Sequence, residues 1–504
     1  MKSGHLSICM LSLALASVVF LGGCRKIVDK GHTNMAIVDK ALYDKTSRFY
    51  VNFRAYPQDM KSLPIGIFDS GTGGLTVAEK IISLDHFDNI TGSDLKNDEI
   101  LDFAGESFIY LADQANMPYG NYDKEGKSEY LRELAVKDAI FLLGDRYYRN
   151  AYEAEPSGIK PRVKIIVIAC NTATAYGLKT IESMLEQSGS PVKVIGVINA
   201  GVKATLDQLN INENTDPMAI GVLATPGTIS SGAYERTINE ELARRKVKES
   251  KVAVISQSGY GFAEAVDCEH DYVNPDLLEA RMDYRGPKIG TNDEDVKLDL
   301  LKAYNFDYSG NNMLVEKDAK GNYLAFQLNN ASNYARFNLV SLVERHRQSG
   351  INSPIRAIIL GCTHYPFQLE TLRQTIEELR EYREPDGNFP YKNLLADTIT
   401  FIDPAVYTAI ECYQTLRNDG NLAYRISEQK IEAYISVPSS TLGDDVLTPE
   451  GHLTYEFKYG REPGTEEVST KQVPFSHSNI DANNMERVRK LLPYSYALIA
   501  PTMK

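Results

Sequence analysis

Two short segments constrain this chain more than anything else in it. Residues 163–172 read Val-Lys-Ile-Ile-Val-Ile-Ala-Cys-Asn-Thr, and residues 355–364 read Ile-Arg-Ala-Ile-Ile-Leu-Gly-Cys-Thr-His. Each is a β-branched apolar run, one small residue, a cysteine, then hydrogen-bonding side chains. A run that apolar and that short fits a parallel strand covered on both faces. The residues after it suit a helix start. Such an element delivers a thiol to the C-terminal edge of a sheet, where open α/β sheets bind their ligands. Two thiols delivered this way suit the movement of a proton between opposite faces of one carbon.

The rest of the chain supports that architecture. Further strands are readable at 64–68, 107–112, 192–198, 219–224, 252–256 and 398–402, with helical spacing between most of them, as at 75–84, 130–143 and 337–347. Strands alternating with helices predict parallel sheets with right-handed crossovers. Ile65-Gly66-Ile67-Phe68-Asp69-Ser70 has a partner in Ile220-Gly221-Val222-Leu223-Ala224-Thr225, and each half later reaches a strand–cysteine element. The expected fold class is therefore α/β: two similar domains with parallel sheets, pseudo-twofold, with the active site in the cleft between them. The first domain covers 63–200, completed by 398–504, and the second covers 201–397. Residues 283–330 read as an insertion, and 418–480 as loops around a strand at 433–437. Both are expected to decorate the surface.

The net charge of −13 over 504 residues, with no basic stripe, excludes a nucleic-acid footprint. Residues 1–24 read as a signal peptide: Lys2, an apolar core from Leu6 to Phe20, then Leu21-Gly22-Gly23-Cys24. That ending resembles the lipobox of bacterial lipoproteins. It predicts lipidation at Cys24, a tether over 25–62, and a protein anchored to a bacterial membrane on its periplasmic side or at the cell surface. An uncleaved anchor is the alternative. Cys268 and Cys412 sit in surroundings that suggest no chemistry.

Removing an α-proton from an amino acid needs a base on one face and an acid on the other. A thiolate serves if its surroundings favour it, as a helix N-terminus does. Cys170 and Cys362 are the candidates. Asp69 suits orienting an ammonium or managing a proton beside one thiol, and His364 does the same beside the other. The alternative for Asp69 is a helix cap. Ser70, Asn171, Thr172, Thr225 and Thr363 are short donors and acceptors suited to a carboxylate. The glycine turn at 71–76 lacks the third glycine of a dinucleotide fingerprint and the Gly-Lys-Ser/Thr of a phosphate loop. No Cys-x-x-Cys pair supports zinc.

Five stretches in order carry a specific resemblance. They are Gly66-Ile67-Phe68-Asp69-Ser70-Gly71 with Gly73-Gly74-Leu75-Thr76; Asp113 with Pro118-Tyr119-Gly120; Ala169-Cys170-Asn171-Thr172-Ala173; Ala224-Thr225-Pro226-Gly227-Thr228-Ile229; and Gly361-Cys362-Thr363-His364-Tyr365-Pro366. The chain resembles the cofactor-independent aspartate/glutamate racemase family, its glutamate branch above all. The resemblance spans 64–403. It implies Cys170 and Cys362 as catalytic acid/base residues, assisted by Asp69 and His364. It also implies substrate contacts from Asp69, Ser70, Tyr119, Gly120, Asn171, Thr172, Thr363 and His364. Glutamate is the implied substrate, supplied in its D form to peptidoglycan synthesis, with no metal or cofactor and a homodimer among the expected partners. Gln114 and Asn116 depart from the family pattern, which has a small residue and an arginine there. Glu264 and Asp267 are both candidates for an acidic residue near the second thiol. The alternatives are another acidic amino acid as substrate, or an exported binding protein on the same scaffold.

Overall fold

The computed structural model describes Met1 and residues 35–94, 98–423, 429–465, 468–480 and 482–503. Residues 2–34, which include Cys24 and nearly all of the expected signal peptide, lie outside the described residues. Two sheets organise residues 35–503. The first contains β1 (Ile65–Asp69), β2 (Phe108–Ala112), β3 (Ile165–Ile168) and β4 (Lys193–Gly196). The second contains β5 (Met218–Ala224), β6 (Val252–Ser258), β7 (Ile355–Gly361) and β8 (Leu395–Ile402). The chain then returns to the first sheet with β9 (Ile431–Pro438) and β10 (Thr470–Pro474).

The first sheet has the order β10-β9-β2-β1-β3-β4, and the second β8-β7-β5-β6. Every pairing is parallel except β9 with β10. The parallel strands are apolar on both faces because helices cover both. On β3, Ile165 and Val167 enter one core while Ile166 and Ile168 enter the other. The second sheet is likewise covered twice.

Three expectations need revision. Residues 36–60, read as tether, carry helix α1 (Ala36–Tyr43), whose Ile37, Val38 and Ala41 join Val51 and Met60 in the first domain's core. Apolar positions one and four apart made one helix face, and that face is buried. The 283–330 segment forms a hairpin, Met313–Lys317 with Tyr323–Leu328. Its Met313, Phe326 and Leu328 pack beside Tyr304 and Phe306 in the second core. The 418–480 segment is no decoration either, since β9 lies inside the first sheet with Ile431, Ala433 and Ile435 buried.

Four helices of the first domain frame the site and the end of the chain: α2 (Leu75–Ile82), α3 (Asn171–Ser188), α4 (Ala482–Leu491) and α5 (Pro493–Ile499). The C-terminal pair closes over this domain. Buried Glu79 on α2 accepts from the backbone N–H groups of Tyr494 and Ser495 at 3.1 and 2.7 Å. Val488, Leu492 and Ile499 fill the core beneath.

Candidate active site

Strand adjacency assembles the site. β1 and β3 are neighbours in register, Phe68 opposite Ile168, so Asp69-Ser70 and Ala169-Cys170 leave the sheet side by side. β5 and β7 are neighbours with Ala224 opposite Gly361, which sets Thr225 beside Cys362. The two strand-end clusters share one cavity of about 140 Å³. Its wall includes Asp69, Ser70, Tyr119, Gly120, Cys170, Asn171, Thr172, Thr225, Cys362, Thr363 and His364, with Glu264, Asp267 and Glu269 beside them. A cavity of about 530 Å³ lies elsewhere, between residues 47–52, the helix Ser128–Leu143 and β10. It is larger but holds no thiol, and three of its four cations, Arg48, Lys137 and Arg162, pair with acids nearby. The smaller cavity is where reactive groups converge.

Glycine makes the close approach between the halves possible. A Cβ on Gly73, in the first domain's turn, would fall 2.7 Å from His364 Cε1. On the far rim, a Cβ on Gly227 would fall 2.6 Å from the Gly120 Cα. A side chain at Gly227 would meet backbone and push the rims apart, and one at Gly73 would displace the His364 ring.

Cys170 is the N-cap of α3, its sulfur accepting from the Ala173 N–H at 3.4 Å and standing 3.6 Å from Ser70 Oγ. The sequence pattern predicts that the helix terminus favours the thiolate. The structure reverses that expectation: burial, and then the Asp69 charge, push the thiol up to about 12, outweighing the N–H donors. Asp69 is itself raised, chiefly by burial, although the N–H groups of Gly71 and Gly74 donate to its carboxylate at 3.1 and 2.9 Å. So Asp69 both caps its turn and sits beside the thiol.

The second thiol has different company. His364 Nδ1 lies 3.3 Å from Cys362 Sγ, and its Nε2 lies 3.0 Å from Asp267 Oδ2. Burial disfavours the imidazolium, but Cys362, Asp69 and Glu264 outweigh it and raise His364 above its ordinary value. Between the two acidic candidates, Asp267 makes the direct pair. Glu264 lines the cavity with its pKa raised by burial, and Glu269, also raised mainly by burial, reaches about 7.

Sequence reasoning missed several partners. Thr228 lies 3.0 Å from Thr172 and 2.9 Å from Thr225, giving a threonine cluster that spans both domains. It stands inside the Ala224–Ile229 motif, which was the available signal. Tyr234 donates to Asn171 Oδ1 at 2.7 Å. Tyr119 lines the cavity, but its hydroxyl is committed elsewhere, 2.5 Å from Asp113 Oδ2 and 2.8 Å from Asp138 Oδ2. Asp138 is raised by burial and by Asp113, which fits one proton more between them than the hydroxyl alone supplies. Asn116 donates to Asp113 and accepts from Arg461 Nη2 at 2.6 Å. A guanidinium from the C-terminal segment thus reaches the position where the sequence lacks one.

Comparison with known proteins points one way. The chain is 30% identical over 214 residues to the glutamate racemase of Lactobacillus helveticus, covering 42% of this chain and 59% of that one. It is 34% identical over 175 residues to that of Lysinibacillus sphaericus, covering 35% and 48%. With the enzyme of Lactobacillus acidophilus the match extends over 398 residues at 24% identity, 77% of this chain and 97% of the other. Over these stretches the chain is similar in sequence to glutamate racemases. The matched stretch spans about half to three-fifths of the first two relatives. No family model matches the chain. Among solved structures, a glutamate racemase isoform of Bacillus anthracis superposes with a TM-score of 0.43 at 22% identity, covering 74% of this chain and 88% of that one. The glutamate racemase of Francisella tularensis in complex with D-glutamate gives 0.40 at 19%, covering 74% and 88%.

Proposed function

We propose that the chain interconverts L- and D-glutamate by proton transfer between two thiols. The observation that carries this reading is the pair Cys170 and Cys362: each is buried, each ends a strand of its own sheet, and both face one small cavity. From L-glutamate, the Cys362 sulfur anion takes the α-proton as the Cα–H bond breaks. The electron pair stays on the substrate and spreads into its carboxylate. Cys170 then gives its S–H proton to the opposite face, and the reverse reaction exchanges the roles. The Asn171 and Thr172 end of α3, with Thr225 and Thr363, supplies hydrogen-bond partners for the carboxylate groups.

The test is α-hydrogen exchange. The full chain, reduced and without added cofactor, is incubated with L-glutamate in D₂O, with L-aspartate run alongside. Loss of optical activity together with α-deuteration of glutamate supports the proposal. Tight binding without exchange overturns it and makes the scaffold a receptor. Racemisation of aspartate alone overturns the substrate.

The proposal includes export and anchoring through Cys24, which rests on the Leu21-Gly22-Gly23-Cys24 ending. Among the described residues no helix is long and apolar enough to cross a membrane. Labelled fatty acid is expected on the protein and lost in Cys24→Ala. Label that survives this substitution sinks the anchor.

A further inference from the structure

The second thiol's chain of contacts does not stop at Asp267. Arg487, on α4, forms an ion pair with Asp267 Oδ1, while Oδ2 of the same carboxylate faces His364 Nε2. These are ion-pair contacts rather than aligned hydrogen bonds. Both ends are largely shielded, with 21% of the Arg487 side chain and 19% of the Asp267 side chain exposed. Arg487 does not line the cavity, so it does not face a ligand directly.

Its helix belongs to the other half. Val488 and Leu492 sink into the first domain's core, and Glu79 on α2 fixes the next turn through the N–H groups of Tyr494 and Ser495. Asp267 follows the short helix Phe262–Val266 of the second domain. The ion pair therefore runs from a tail anchored on one domain to the acid that faces the catalytic histidine of the other. One carboxylate shared by two cations has its position fixed from both sides. A shielded arginine leaving that position would strand a charge.

We infer that Arg487 is a positioning residue: it holds Asp267, and through it the His364 ring, with Nδ1 turned to Cys362. The inference rests on the two-thiol reading of the site. His364 is also faced by Cys362, by Asp69 from the first domain, and by Glu264 and Glu269, with Arg285 countering the latter two. Arg487 is the C-terminal tail's contribution to that set.

Enantiomers are isoenergetic in water, so kcat/KM is the same from either side and cannot reveal which thiol is impaired. Isotope effects can. In Arg487→Met, proton transfer at Cys362 slows. The α-deuterium isotope effect is then expected to rise with L-glutamate, whose proton Cys362 removes, and to fall with D-glutamate. Overall kcat/KM drops about tenfold to a hundredfold, the scale set by a reacting group displaced by up to about an ångström. The pH limb governed by His364 moves up, because Asp267 no longer divides its charge, and Asp267→Asn moves it down. Arg487→Lys restores most of the rate. Arg489→Met, which removes an exposed pair with Glu486 on the same helix, leaves all of these unchanged. A fall in rate with wild-type isotope effects and pH limb overturns the inference, since general loosening of the tail would do only that. If Arg487→Met is insoluble, Arg487→Lys and Asp267→Asn decide on the same readouts. A wild-type chain that exchanges no α-hydrogen refutes the two-thiol reading instead.

Discussion

The two thiols occupy equivalent places in two similar domains, yet their neighbours differ in kind. Cys170 has a carboxyl group and a hydroxyl beside it, and burial with Asp69 holds the proton on sulfur. Cys362 has an imidazole at 3.3 Å, itself backed by a carboxylate and an arginine. The geometry of the two strand ends is alike, and what differs is the company: a carboxyl group and a hydroxyl at Cys170, an imidazole at Cys362. The proposed racemisation would use the two thiols in opposite roles in every turnover.

The largest break in the comparison comes from the sulfurs themselves. Cys170→Ser and Cys362→Ser should each lower racemisation by about 10³-fold or more, near the upper range for a lost acid/base group. The residual chemistry should differ: Cys170→Ser still deuterates L-glutamate slowly with retention, and Cys362→Ser does so with D-glutamate. Near-normal racemisation by either variant ends the two-thiol mechanism. A smaller, sharper effect is expected from His364→Asn, about 10- to 100-fold in kcat/KM by the same reasoning. Because the folded-state pKa of His364 is raised, its imidazolium persists above the ordinary value of 6.5 and is lost as pH rises through the folded value. The basic limb of the wild-type profile should therefore vanish in the variant; a limb that stays assigns it to another group.

The smallest effect concerns stability. Glu269 is raised from 4.5 to about 7, so in that window the folded chain holds a proton that the unfolded chain has released. Its contribution is present below pH 4.5 and lost as pH rises toward 7. Glu269→Gln should flatten the decline of melting temperature between those values; an unchanged slope would move the responsibility to Glu264 or Asp138.

Most of the site was legible because it lies where local pattern is strongest. Apolar runs of four to eight residues ending in Asp-Ser, Cys-Asn-Thr or Cys-Thr-His announce both a buried strand and what its edge presents. The parts that were not legible depend on contacts distant in sequence. Thr470-Lys471-Gln472-Val473-Pro474 is a polar-rich edge strand, with nothing local to mark it as part of the first sheet. Arg487 sits in a polar helix whose hydrophobic residues are few, and its partner lies some 220 positions earlier. The Tyr119 hydroxyl turns toward Asp138, which stands inside a different helix. The thiolate expectation failed for Cys170 because a helix terminus is visible in sequence while burial and a neighbouring carboxyl group are not.

The strand order of the first sheet has a consequence for how the chain is made. β2 pairs with β1 on one side and with β9 on the other, and β9 is separated from it by more than 300 residues. A ribosome delivering this chain in order releases the first half with an open parallel edge, residues 108–112, and completes the second domain before the segment that covers it emerges. Pairings of such high contact order form slowly, and an uncovered edge is open to foreign strands. The first sheet cannot be completed from its amino end forward; it waits for the last quarter of the message.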